Sequence, residues 1–228
     1  MDWSKLTSEP NDFVVRKLML ETIKSIRIPY VGSWRSFLID NVRRRKTLDI
    51  GVVEHNINYI VNDSWLHKDI CASASYCLGI DILDDMVVVL RDKGYNVKCV
   101  DATSDIFLGE LFDCVNIGDV VEHVNDPVKL LSFSKRHLSE DGEIVLTTPN
   151  PFYFAYFFKV LSRSSLVVNF EHISWITPSM AIEIGRRAGL KLESIVVPHS
   201  NNLIKKFFIT RFPEILRNKF IYVFKHAE

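Results

Sequence analysis

No stretch of about 18 consecutive apolar residues occurs in the 228-residue chain, so no transmembrane helix is expected. No excess of charge of either sign is present: lysine plus arginine equals aspartate plus glutamate, 28 of each. A bulk field that would gather nucleic acid or an anionic membrane is therefore absent, and DNA is not expected as a partner. No C-x-x-C pair joins the four cysteines, Cys71, Cys77, Cys99 and Cys114. They read as small buried hydrophobes in a reducing compartment rather than as a disulfide frame or zinc knuckle. The start, Met1-Asp2-Trp3-Ser4-Lys5, lacks a basic segment followed by an apolar core, so the expectation is a cytoplasmic protein without a signal peptide. Asn62-Asp63-Ser64 matches a glycosylation sequon and is read as chance. The basic run Arg43-Arg44-Arg45-Lys46 reads as the solvated end of a helix. Internal repeats and low-complexity linkers are missing too, so the chain is most simply one domain with accessory pieces.

What is present is an alternation of strand-like and helix-like segments. Short apolar runs fall at Lys46 to Ile50, Tyr76 to Asp81, Asn96 to Val100, Leu111 to Ile117, Glu143 to Thr148, Lys191 to Val197 and Phe220 to Phe224. Between them lie stretches of helical periodicity. One passes through Trp65 to Ala74, and one opens at Asp84. Another opens at Asp126-Pro127, with proline suited to the first helical position, and a last one opens at Thr177-Pro178. Asp141-Gly142 reads as a turn. The alternation predicts an α/β fold with a doubly wound, mainly parallel, seven-stranded sheet. Residues 1–45 are expected as an N-terminal helical cap, with helices over 12–27 and from Trp34 to Arg45 separated by a break at Pro29. Residues 46–228 would form the sheet domain. The aromatic run Phe152, Tyr153, Phe154, Tyr156, Phe157 and Phe158 interrupts the rhythm, and 152–170 reads as an inserted lid, as packing or as a self-association surface.

In such sheets the ligand crevice lies beyond the carboxyl ends of the strands. Asp49, Gly51, Asp81, Asp101, Gly118, Asp119 and Pro149 all fall at such ends. A glycine turn after the first strand and an acid at the tip of the second suit an adenosine ligand, because the backbone can approach it and the carboxylate can accept both ribose hydroxyls. A dinucleotide is disfavoured, since one glycine alone of G-x-G-x-x-G is present.

Six segments in order, LDIG, GID, VDA, FDCVNIGDVVEHV, HLSEDGEIVLTTPNP and EHISWITPSM…AGL, make Leu48 to Val197 resemble the class I S-adenosylmethionine-dependent methyltransferases. The Trp65-Leu66-His67 segment resembles bacterial and archaeal members. The family pattern D-x-G-x-G-x-G is altered here to Asp49-Ile50-Gly51-Val52-Val53-Glu54-His55, with Val53 and His55 in place of two glycines. The resemblance implies a Rossmann-like methyltransferase fold with S-adenosylmethionine as cofactor. It implies that Gly51 packs against the methionine part, while Asp49 organises the loop. Asp81 would hold the ribose with Ile82 beside it, Asp101 and Ala102 would meet the adenine, and Gly118 would lie along the cofactor.

Asp119, Glu122 and His123 would share one face if a helical turn began after the fourth strand, since they are three and four residues apart. They are candidate catalytic residues where methyl donor meets acceptor. Three roles are open. His123 could be a general base toward a hydroxyl or amine. A divalent metal could be held by Asp119, Glu122, His123 and His172, as the resemblance to metal-dependent RNA 3′-end methyltransferases implies; ubiquinone-pathway O-methyltransferases share a similar segment. Finally, Glu122 and His123 could simply fix a loop. His55 and His67 are weaker candidates for touching cofactor or substrate. The implied activity is methyl transfer to oxygen or nitrogen of a small molecule or glycan. A degenerate, non-catalytic scaffold and an RNA 3′-end methyltransferase are the alternatives, and a homo-oligomer is possible.

Overall fold

The computed structural model describes residues 9, 11–54, 65–200, 202, 207–209 and 211–227. His55 and the Asn62-Asp63-Ser64 sequon lie outside the described residues. Eight strands form one sheet in the order β1-β7-β8-β6-β5-β2-β3-β4. Here β1 is Arg27–Val31, β2 Lys46–Ile50, β3 Tyr76–Asp81, β4 Val97–Cys99, β5 Phe112–Gly118, β6 Leu138–Pro149, β7 Leu190–His199 and β8 Lys219–His226. β8 runs antiparallel between β6 and β7, and the other neighbours pair in parallel. The α/β class, the doubly wound sheet and its mainly parallel character are as the pattern predicts.

The count of seven strands is corrected to eight. The added strand is β1, inside the segment expected to be a helical cap; Pro29, read as a break between helices, sits at its centre opposite Val197. Proline lacks the amide for a second ladder, and an edge strand with one neighbour does not need it. The flanking helices match the expectation: α1 spans Phe13–Ser25, where Asp12 caps the amide of Val14, and α2 spans Trp34–Val42, closed by a reciprocal Ser33–Ser36 box. A second correction concerns Asp141-Gly142, which lies within β6 rather than ending before it. The polar pair still perturbs the chain, because the β5–β6 register slips between Phe112 and Cys114.

Helices α3 (Leu66–Ser73), α4 (Asp84–Asp92), α5 (Pro127–Arg136), α6 (Phe154–Arg163), α7 (Pro178–Arg187) and α8 (Pro213–Leu216) complete the regular structure. α5 begins as Asp126-Pro127 predicts, with the Asp126 carboxylate accepting from the amides of Val128 and Lys129 at 3.0 Å. The central strands are buried on both faces: Leu48, Ile50, Leu78, Ile80, Val115, Ile117, Ile144 and Leu146 enter the core on one face, while Cys114, Val145, Ile221 and Val223 enter a second cluster on the other.

The chain builds outward from β2 to β3 and β4, then returns to lay β5 on the other side of β2. That reversal opens a crevice above the carboxyl ends of these strands, which is where every site residue below is found.

Candidate active site

A cleft of about 1220 Å³ lies at this switch point. Its wall includes every residue predicted to touch the cofactor: Asp49, Gly51, Asp81, Ile82, Asp101, Ala102 and Gly118. It also includes Asp119, Glu122, His123 and His172. One end is built on the tips of β2, β3 and β4, the other on the loops after β5 and before α7.

At the first end the acids are well satisfied. Asp81, 8% exposed, accepts from the Val53 amide at 2.9 Å and the Leu83 amide at 3.1 Å, one on each oxygen. Each oxygen keeps a further lone pair for a hydroxyl. Asp49 is buried and engaged by side chains: Oδ2 lies 2.7 Å from His67 Nδ1, and Oδ1 accepts from Asn116 Nδ2 at 2.5 Å. It therefore organises the loop from within the protein. Asp101 caps its own turn, taking the Thr103 amide and hydroxyl at 2.7 Å each. Ile82 is 66% exposed at the rim, an apolar surface beside Asp81.

Gly51 has φ +79°, and a Cβ there would sit 2.1 Å from Val120 Cγ2. Its conformation and the close approach of Val120 both demand glycine. The valines that replace the customary glycines have a local reason. Val52 is buried in a cluster with Trp65, Val87, Leu90 and Val97, and Val53 packs against it. Trp65 Nε1 donates to the Val52 carbonyl at 2.9 Å and so ties this loop to the start of α3. The altered loop is anchored sideways into a small core of its own.

At the other end the backbone does not begin a helix after β5. Asp119 takes a left-handed conformation, φ 54°, and its side chain turns toward the sheet. It accepts from Thr147 Oγ1 at 3.0 Å and pairs with Lys219, whose ammonium also lies 4.2 Å over the Trp34 ring. The expected sharing of one helical face by Asp119, Glu122 and His123 is thus corrected. The residues that converge are Glu122, His123 and His172, whose ligand atoms lie within 4.8 Å of one another. His172 is delivered by the segment before α7, which is stitched to the β5 loop by the Ile173 amide donating to the Glu122 carbonyl at 2.9 Å. The rings of His123 and His172 meet edge to face at 4.8 Å.

Glu122 is 1% exposed; Oε2 accepts from Thr148 Oγ1 at 3.2 Å, while Oε1 is buried without a hydrogen bond. Burial, and next the Asp119 charge, push its carboxyl up to about 7, against the partial relief of the Thr148 bond and Lys219. Of the segment 152–170 read as a lid, Asn169 lies in the cleft wall beside Glu171 and His172, while no α6 side chain does. α6 buries none of its residues.

A family model described as a methyltransferase domain matches residues 27–195. The chain belongs to the methyltransferase-domain family. It is a methyltransferase. Among curated proteins it is similar to a ubiquinone biosynthesis O-methyltransferase of Glaesserella parasuis, 24% identical over 84% of this chain and 83% of that protein. Among solved structures it is similar in fold to an S-adenosylmethionine-dependent methyltransferase of Archaeoglobus fulgidus (TM-score 0.56, 17% identity, 94% of this chain and 100% of that one). It is similar also to a magnesium protoporphyrin IX methyltransferase of Synechocystis with bound S-adenosylhomocysteine (TM-score 0.55, 14% identity, 99% and 93%).

For a methyltransferase the residues at the strand tips fit the cofactor. The Asp81 carboxylate retains acceptor capacity at the cleft wall, Ile82 offers an apolar shelf, and Gly118 is open, a Cβ there meeting nothing closer than 3.7 Å. Several site residues escaped the sequence reading. Asn116 sits mid-strand and carries no motif. Trp34 and Arg35 reach the cleft from α2, so the N-terminal segment helps form the site. Lys219 arrives from the far end of the chain. Of the cysteines expected to be buried, Cys114 is, Cys71 and Cys77 are half-buried and Cys99 is exposed; all four are free thiols. Among the described residues, no helix is long and apolar enough to cross a membrane.

Proposed function

We propose that this methyltransferase methylates a hydroxyl oxygen of a small, partly aromatic molecule, with His123 as the general base. The observation that carries the reading is the convergence of a buried carboxylate and two imidazoles at the end of the cleft away from Asp81. A neutral amine can attack without prior loss of a proton. A phenolic hydroxyl, with a pKa of about 10, needs a base near at hand. The O-methyltransferase character of the curated relatives supports oxygen over nitrogen.

When bound, S-adenosylmethionine supplies a methyl group already activated on a sulfonium sulfur. The protein's own work is to hold, orient and deprotonate. Asp81 would accept from the ribose hydroxyls, and Gly51 with the anchored Val52-Val53 loop would line the methionine side. Half-buried Trp175, 6.4 Å from the His172 ring and 6.0 Å from Tyr156, backs His172 from outside the cleft wall. His123 would take the proton of the acceptor hydroxyl, leaving the acceptor oxygen free to receive the activated methyl group. Glu122, beside His123, keeps the resulting imidazolium in a site of favourable charge.

A second reading is favoured by the bare Glu122 Oε1. With His123 and His172 it forms a donor set of one oxygen and two nitrogens that suits a divalent cation. Such an ion would lower the pKa of a hydroxyl bound to it. The test is release of S-adenosylhomocysteine with a panel of phenols, catechols and amines, with chelator or with added magnesium. Turnover with hydroxyl acceptors that survives chelation supports the base. Turnover that requires magnesium supports the metal. Turnover confined to amines rejects both.

A further inference from the structure

Behind the cofactor end of the cleft, His67, Cys71 and Cys77 bring one nitrogen and two sulfurs within 4.8 Å of one another. We propose that these three side chains form a binding site for a thiophilic closed-shell cation, Zn²⁺ being the natural occupant, distinct from the methyl-transfer chemistry. The site lies between α3 and β3 and does not depend on which acceptor is methylated.

The imidazole is seated by four separate contacts. Its Nδ1 faces Asp49 Oδ2 at 2.7 Å. The Trp65 and Tyr95 rings flank it at 5.3 and 5.8 Å. Gly79 leaves room for it, since a Cβ there would fall 2.8 Å from Cε1 and 3.0 Å from Nε2. With Nδ1 turned to a carboxylate, the remaining nitrogen, Nε2, faces Cys71 Sγ at 3.3 Å. Metal-bound histidines are commonly arranged this way: a carboxylate takes the far N–H, fixes the tautomer and strengthens the donor. Cys71 lies one helical turn after His67 on α3, and Cys77 projects from β3 alongside. Two thiolates and a neutral imidazole around Zn²⁺ leave no net charge, and the fourth tetrahedral position is open to water. Both cysteines are half-buried, which gives the ion a path in.

Binding displaces the two thiol protons to solvent, involves no change of oxidation state, and fixes the His67–Asp49 contact. Because Asp49 also receives Asn116 beneath the cofactor loop, the ion would brace that loop from below.

The experiment uses the full chain, reduced and stripped of metal under argon, titrated with Co²⁺ and then with Zn²⁺. One equivalent of Co²⁺ should produce the intense thiolate-to-cobalt charge-transfer absorption, and one equivalent of Zn²⁺ should abolish it. Cys71→Ser and Cys77→Ser should each lose that absorption and weaken Zn²⁺ uptake at least about tenfold. Cys99→Ser should bind as the parent does. Asp49→Asn should weaken uptake roughly 10–100-fold, as loss of an outer carboxylate does. Circular dichroism of each variant establishes that it has folded, and either cysteine variant suffices for the test. The absence of a thiolate–cobalt band, or uptake indifferent to both cysteine substitutions, overturns the site; the latter result would place the ion elsewhere, for example at Glu122 and its histidines.

Discussion

Asp81 at one end of the cleft and Glu122 at the other are satisfied in opposite ways. At the cofactor end both Asp81 oxygens accept backbone amides, both Asp49 oxygens are held by side chains, and Asp101 caps its own turn. At the acceptor end Glu122 is more deeply buried than Asp81, yet one of its oxygens has no hydrogen bond. Carboxylates whose oxygens are held by donors are fixed in orientation, which suits holding a ligand. A buried carboxylate with an unmet oxygen has a raised proton affinity, which suits proton traffic or cation binding. On the function proposed, the difference assigns binding to one end of the crevice and chemistry to the other.

The sharpest way to break this separation is His123→Ala. Turnover should fall by about 10²–10⁴-fold, with affinity for S-adenosylhomocysteine unchanged by calorimetry. An equal loss of both would mean that the ends are not distinct. The converse variant is Asp81→Ala. Removing two charge-assisted hydrogen bonds, worth roughly 1.5–3 kcal/mol each, should weaken cofactor binding by about 10²–10⁴-fold, read in the same titration.

Gly51→Ala probes the cofactor end through the backbone. A left-handed alanine, with its Cβ driven into Val120, should lower stability by about 1–3 kcal/mol in urea unfolding, and Val120→Ala should restore part of that. The smallest effect concerns pH. The Glu122 carboxyl is raised from its usual 4.5 to about 7, so the folded state binds more protons than the unfolded state between those values. Stability contributed by this group therefore falls as pH rises from about 4.5 to 7, and the full cost applies above 7. Glu122→Gln removes that cost, so its melting temperature relative to the parent should be higher at pH 8 than at pH 5. Magnesium that raises the parent's melting temperature at pH 8, but not the variant's, would sharpen the metal reading.

Most of the cofactor end was legible in the sequence because it depends on strand tips, and a strand tip is marked by an apolar run ending in glycine or acid. Asp81 and Gly51 were read that way, and Ala102 came from the methyltransferase resemblance. The acceptor end was half legible. Glu122, His123 and His172 were singled out, but Asp119 was grouped with them on the assumption of a helical turn. The left-handed backbone at Asp119 and the pull of Lys219, a hundred residues away, have no local signature. β1 was missed because Pro29 signals a break, and only the sheet edge on which it lies makes proline acceptable. His67 and Cys71 share a helical face at a spacing visible in the sequence. What brings Cys77 to them is the placing of α3 against β3, a tertiary fact.

The most direct test of the central claim is to follow labelled methyl from S-adenosylmethionine into phenolic and catecholic acceptors, with parent and His123→Ala proteins side by side. The account predicts methyl ethers from the parent, a loss of at least about a hundredfold in the variant, and equal binding of S-adenosylhomocysteine by both. Undiminished methylation by the variant would contradict the assignment of chemistry to the Glu122–His123–His172 end.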